Sequence, residues 1–202
     1  MKFDIPFYPQ MEKNDCGPTA LKMILAFLGE EHEISELKKL IEPEDSGATW
    51  TMAIAKSAAQ LGFETEFYTT SLGFNPANYE LEFYKRETNL DNAGDKVEKF
   101  KRECVKYDVK LNEKSITIEY ILSKLNENCG CIVLLDWGKI RGVDKFAGHF
   151  VPIVGFDDAN IYVHNQGLTN PTKNLVIPRS LFEEARKSKG TDEDIIFIHK
   201  KL

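Results

Sequence analysis

Residues 10–29 read Gln10-MEKND-Cys16-Gly17-Pro18-TALKMILAFL-Gly29. After Cys16 the apolar residues Ala20, Ile24 and Phe27 recur at helical spacing, with Leu21 and Leu28 beside them. Pro18 suits the first turn of a helix, where its missing N–H costs nothing. Gly29 suits the position just past the end. The spacing therefore predicts a buried helix that begins at Cys16. The free N–H groups and the dipole at a helix start favour a thiolate, the nucleophilic form of cysteine. The Cys16 N–H points to where an oxyanion would form in acyl transfer, and Gln10 can supply a second donor. A cysteine met alone is a small buried residue. The Gln, the Cys, the Gly-Pro start and the apolar helix together make Cys16 a candidate nucleophile.

A thiol nucleophile needs a base, and the base needs a group to orient it. Of the four histidines, His32 lies in an acidic turn, His164 on a return strand and His199 on a late strand. His149 opens the apolar strand of GHFVPIVGF (148–156), after a loop of mixed charge over 138–148. Asp157-Asp158-Ala159-Asn160 is a hairpin turn, and 161–165 is the return strand. The two ends of such a hairpin are neighbours, so Asn165 can accept the imidazole N–H and fix its tautomer. Asp157 and Asp158 sit at the far end, where they serve the turn.

The rest of the chain reads as helices first and sheet later, an α+β pattern. Short helices are expected from Ser35 to Glu42-Pro43 and from a Thr49 or Thr51 cap to Gln60, with a strand over 63–69. Residues 73–92 are polar with isolated aromatics and read as an excursion that covers one end of the site. Asp95–Tyr107 forms an amphipathic surface helix carrying Cys104. Thr117 caps a helix over Ile118–Leu125, and 131–137 is a buried strand. Cys129-Gly130-Cys131 lacks the second pair of a zinc site and reads as the start of that strand. A strand is expected near 175–177. Ser180 and Glu183 form a capping box for a helix to Lys187. Asp192, Glu193 and Asp194 form a polar turn before a last strand over 195–199.

A chain of 202 residues is most simply a single domain, with 42% hydrophobic and 29% charged residues. A net charge of −6 with no basic patch excludes an ordinary nucleic-acid binder. No apolar run approaches the roughly 20 residues of a membrane span, and the first ten residues lack a signal-peptide core. A cytoplasmic protein with neither membrane nor nucleic-acid partner is expected. The four cysteines form no disulfide framework.

The Cys16 stretch resembles the nucleophile helix of the C39-like papain-fold cysteine peptidases, and GHFVPIVGFDD resembles their histidine strand. That resemblance implies N-terminal helices packed on a C-terminal antiparallel sheet. It also implies a Cys16–His149–Asn165 triad, with Gln10 at the oxyanion hole. The family usually places Asp-Pro where this chain has Asn165-Gln166. A closer resemblance spans nearly the whole chain: TTSLG (69–73), FYK (83–85), LLDW (134–137), and above all FEEAR (182–186) near GTDED (190–194). These are similar to the guanylyl cyclase domain-containing protein family, within the same clan. The resemblance implies that residues 71–115 are a family-specific insertion. It also carries a cyclase description, which the residues do not support. There is no Gly-rich phosphate loop, and cyclase chemistry needs metal-bound carboxylates. The function expected is a cysteine hydrolase that needs no cofactor and acts on a peptide or protein. The alternatives are a guanylyl cyclase and a papain-fold binding module whose catalysis has lapsed.

Overall fold

The computed structural model describes residues 1–201, Tyr79 by its backbone alone. The expected first helix is α1 (Cys16–Phe27), followed by α2 (Ile34–Ile41), α3 (Thr51–Gln60), β1 (Glu64–Thr69), α4 (Glu82–Glu87), α5 (Ala93–Lys106) and β2 (Lys110–Glu113). The second half runs α6 (Ile118–Lys124), β3 (Cys129–Asp136), α7 (Trp137–Ile140), β4 (Gly148–Phe156), β5 (Asn160–Asn165), β6 (Thr172–Pro178), α8 (Arg179–Arg186) and β7 (Ile195–His199). Short 3₁₀ turns lie at Pro76–Glu80 and Leu90–Asn92.

Seven strands form one sheet in the order β2-β1-β7-β3-β4-β5-β6. Every pair is antiparallel except β1 with β2. The alternation of side chains across each strand divides the core in two. Ile132, Leu134, Phe150, Ile196 and Ile198 face the cluster built by α1, α3 and α5. Cys131, Val133, Val151, Ile195 and Phe197 face the cluster built by α6 and α8. The fold is α+β as expected, and both faces of the sheet are covered.

The helix that carries the cysteine is anchored on the first of these faces. Leu21, Ile24 and Leu25 are fully buried, and burial of each contributes roughly 1.5–3 kcal/mol. Gly17 is dictated by packing, since a Cβ there would lie 2.4 Å from Thr49 Oγ1. Any larger residue would push the segment before α3 away from Cys16.

Several local expectations need correction. The FEEAR helix starts after Pro178 with no side-chain cap. Ser180 and Glu183 form no capping box, because Glu183 instead binds Arg186, at 2.7 Å. Thr51 is the first residue of α3 rather than its cap, and its hydroxyl donates to Asp194. The strand expected over 131–137 ends at Asp136, and Trp137–Ile140 is a helical turn leading into the expected loop, capped by Asp136 Oδ1, which accepts from Gly138 N at 3.0 Å. The strand β2 was not expected at all. Among the described residues no helix is long and apolar enough to cross a membrane.

Candidate active site

His149 is the second residue of β4 and is 8% exposed. Its Nε2 lies 3.2 Å from Asn165 Oδ1, at the end of β5. Two further bonds fix the orientation of the Asn165 amide. Its Nδ2 donates to Asn170 O at 2.9 Å, and its Oδ1 accepts from Gly167 N at 3.1 Å. The oxygen therefore faces the imidazole, so Nε2 carries the proton and Nδ1 is left as the basic nitrogen. Trp137 covers the ring, with centroids 4.7 Å apart at 65°. Asp136 holds that tryptophan by stapling both ends of its loop: Oδ1 accepts from Gly138 N and Ala147 N, and Oδ2 from Ser188 Oγ at 2.8 Å. A Cβ at Gly167 would press on Asn165 Oδ1 at 3.1 Å, so a side chain there bears directly on the pair.

Cys16, His149, Asn165 and Gln10 line one open cleft of about 400 Å³, together with Trp137 and Arg141. The Gln10 amide donates one N–H to Glu12 O at 3.0 Å, which leaves the second. Among the described residues no hydrogen bond joins Cys16 Sγ to His149. Phe150 packs in the core cluster on the α1 side, and the His149 ring packs against Trp137.

The protonation states depart from the expected thiolate. Burial pushes the Cys16 thiol up to about 11, against the opposing pull of the backbone N–H groups of Phe150, Gly17 and Cys16 itself. The N-terminal position of Cys16 is real, but desolvation outweighs it. Burial likewise lowers His149 to about 4; the Asn165 bond opposes this and the Arg141 charge adds to it. The resting pair is a thiol and a neutral imidazole.

The other candidates fall where the sequence put them or have other work. Asp157 accepts from Ala159 N and Asn160 N in the hairpin turn. His164 is fully buried between Ile5 O and Asn174 N. His199 meets Glu66 at 3.0 Å, and His32 meets Glu30 and Glu36. Cys104, Cys129 and Cys131 are buried free thiols raised by desolvation.

Sequence reasoning missed Gln166. It is wholly buried, and its Nε2 donates to Cys16 O at 2.9 Å and to Phe150 O at 2.5 Å. Its backbone carbonyl accepts from Gln10 N at 2.8 Å. One side chain thus ties the start of α1 to β4, beside His149. A glutamine after a strand carries no local signal of such a clamp.

The fold, with helices packed on a mostly antiparallel sheet, is that of the C39-like peptidase domains of known structure. The peptidase domain of ComA, a bifunctional ABC transporter of a Streptococcus quorum-sensing pathway, superposes with a TM-score of 0.55 at 16% identity, over 96% of each chain. A double glycine motif protease from an AMS/PCAT transporter, solved with its leader peptide, gives 0.54 at 16% identity, covering 100% of this chain and 94% of the other. A C39-like peptidase from Bacillus anthracis gives 0.58 at 12%, over 98% and 96%. At such identities the likeness is one of fold. The chain belongs to the family described as Guanylylate cyclase, whose model matches residues 5–198. Guanylyl cyclase 1 of Arabidopsis thaliana is 27% identical over 221 aligned residues, covering 97% of this chain and 76% of that protein.

Proposed function

We propose that this protein is a papain-fold cysteine enzyme of the acyl-transfer type, a hydrolase of a peptide or isopeptide bond. The observation that supports it is the His149–Asn165 pair in one cleft with Cys16. The Asn165 amide is oriented so that Nδ1 is the free base. A neutral imidazole is the form a general base must have. In this reading substrate binding brings Cys16 and His149 into reach, since catalytic hydrogen bonds commonly tighten only in the complex. The thiol proton passes to His149 Nδ1 as Sγ bonds to the substrate carbonyl carbon. The oxyanion is held by the Cys16 N–H and the second Gln10 N–H. Collapse breaks the C–N bond, and the amine leaves with the proton from Nδ1. Water, deprotonated by His149, then releases the acid and restores the thiol.

The family description suggests a nucleotide cyclase, which would need divalent metal held by carboxylates. The residues do not fit that group. Asp192 is held by Asn75 and Asn78, Glu193 by Arg186 and Ser115, and Asp194 by Thr51. Among the described residues no group of three or more ligands converges. A second reading, a binding module without catalysis, is favoured by the raised Cys16 thiol and its lack of a bond to His149.

The test is acylation by p-nitrophenyl acetate, followed by intact mass. We expect a single acetyl adduct, absent in Cys16→Ala and formed at least about 100-fold more slowly in His149→Ala. Acylation of Cys16 that is indifferent to His149 would leave the binding module as the better reading.

A further inference from the structure

Cys16 lies between two cavities. Behind the cleft, on the α3 side, a second chamber of about 90 Å³ is lined by Cys16, Trp50, Phe74, Asn78, Tyr84 and Asp194, among others. One water needs about 10–15 Å³ by this measure. The space therefore takes several waters, or the end of one unbranched side chain. The segment over 73–88, with its 3₁₀ turn and α4, forms one wall.

Three buried oxygens at this chamber have no hydrogen-bond partner. Asn78 is 2% exposed, and its Nδ2 is committed to Asp192 Oδ2 at 3.0 Å, which fixes its Oδ1 as the other end of the amide. That Oδ1 is buried and has no partner. The same is true of Asp194 Oδ1 and Thr49 Oγ1. Thr51 donates to the other Asp194 oxygen. Asp192 and Glu44 also line the space, and among the described residues no Lys, Arg or His does. Glu44 is occupied by Trp50 Nε1 at 2.7 Å and by Lys96 at 2.6 Å. Buried acceptors without donors cost free energy until something donates to them. The walls are aromatic: Trp50 meets Phe74 edge-on at 5.6 Å, and Phe74 meets Tyr84 at 6.1 Å. Unpaired oxygens, a buried carboxyl that an incoming cation would ionise, and ring faces together describe a site for an organic cation. A phosphate would find no cationic side chain among the described lining residues. A metal ion is disfavoured because the carboxylates do not converge.

We infer that this chamber is a specificity pocket that binds a primary ammonium group of the substrate, from a lysine side chain or an amino terminus, beside the Cys16 nucleophile. Its role in specificity rests on the acyl-transfer reading, but its occupancy does not. Burial and the neighbouring Asp192 push the Asp194 carboxyl up to about 8. That is the behaviour of a carboxyl that lacks its counter-cation.

The chain has two tryptophans, one in each cavity, so their indole N–H resonances report on the two separately. The protein is titrated at constant ionic strength with n-butylammonium, glycinamide, butyrate and n-butanol. We expect Trp50, and not Trp137, to shift with one or both amines, with half-saturation in the millimolar range, and to ignore butyrate and butanol. A response to n-butylammonium alone identifies the lysine-type group, and one to glycinamide alone the amino terminus. Asp194→Asn weakens binding tenfold or more, and Asn78→Ala, which spares the carboxylate, about threefold or more. The second variant decides the matter if the first does not fold. No amine-specific shift of Trp50, or equal shifts with butanol, overturns the pocket. Cys16→Ala, which cannot be acylated, keeps the amine response. Failure of the acylation test therefore leaves this result standing, and failure here leaves acylation untouched.

Discussion

Replacing Asn165 with Asp puts a carboxylate where the neutral amide oxygen now meets His149 Nε2, at 3.2 Å. At that distance, with an effective dielectric near 20, two unit charges attract by about 5 kcal/mol. The new carboxylate loses the Nδ2 bond to Asn170 O and faces that carbonyl, which consumes part of the gain. The expected net effect is a rise of about 2–3 pK units in His149, within the range for a close opposite charge. That moves it from about 4 to near its unperturbed value. The rise also changes stability. In the wild type the unfolded chain takes up a proton near pH 6.5, whereas folded His149 refuses it until about pH 4. The unfolded state therefore binds more protons throughout that window. Stability is fully present above pH 6.5 and falls as the pH drops toward 4, by about 3 kcal/mol in all. His149 is 8% exposed, so solvent screens little of this. Between pH 7 and pH 5 the wild type should lose about 2 kcal/mol more than Asn165→Asp. Titrating groups common to both proteins cancel in that difference, and the carboxyl introduced at position 165 does not, so the His149 share is fixed by its own titration. Urea unfolding at the two pH values measures it, and ¹H–¹³C NMR titration of the four histidines measures the pKa directly. A wild-type His149 titrating near 6.5, or one unmoved by the substitution, would refute the burial argument.

Two further substitutions test the frame around the site. Gln166→Ala removes the donor shared by Cys16 O and Phe150 O; Cys16 O keeps its intrahelical partner as the first residue of α1, so we expect a loss of about 1–3 kcal/mol in chemical denaturation, mainly from the Phe150 carbonyl. Arg186→Met takes one partner from Glu193, which keeps Ser115, and from Glu183, which keeps Lys187, and removes the donor to Ile116 O; we expect a loss of about 1–3 kcal/mol, and a change below about 0.5 kcal/mol would show that the network carries no stability.

The parts of the fold that the sequence revealed are those with local signals. Pro18 and Gly29 bracket α1, Asp157 and Asn160 mark the hairpin, and Thr117 caps α6, accepting from Tyr120 N at 3.2 Å. The FEEAR and GTDED stretches are read separately along the chain, and the structure shows why they occur together: Arg186 binds Glu193 at 2.8 Å. Other features had no local signal. β2 is four residues of KLNE, and only its parallel pairing with β1, across α5, makes it a strand. Asp192 and Asp194 do belong to a turn, but the fold places Asn75, Asn78 and Thr51 over them, so a run that looks solvated faces a chamber. The thiolate expectation failed for a related reason. The helix-start argument depends on neighbours in sequence, whereas the burial that outweighs it is set by the tertiary structure around Cys16; the contribution of β4, the Phe150 N–H, works the other way.

The position of β7 has a consequence for synthesis. This strand pairs with β1 on one side and β3 on the other, so it is the seam between the two halves of the sheet. While the chain is made at roughly 5–20 residues per second, β1 and β3 both present open edges until residues 195–199 emerge. Everything that forms the cleft, from Cys16 to Asn165, has left the ribosome by then. The sheet beneath α1 is still in two pieces. The nascent protein therefore acquires its candidate catalytic groups before it acquires the platform that holds them. Its exposed strand edges are the natural target of holding chaperones during that interval.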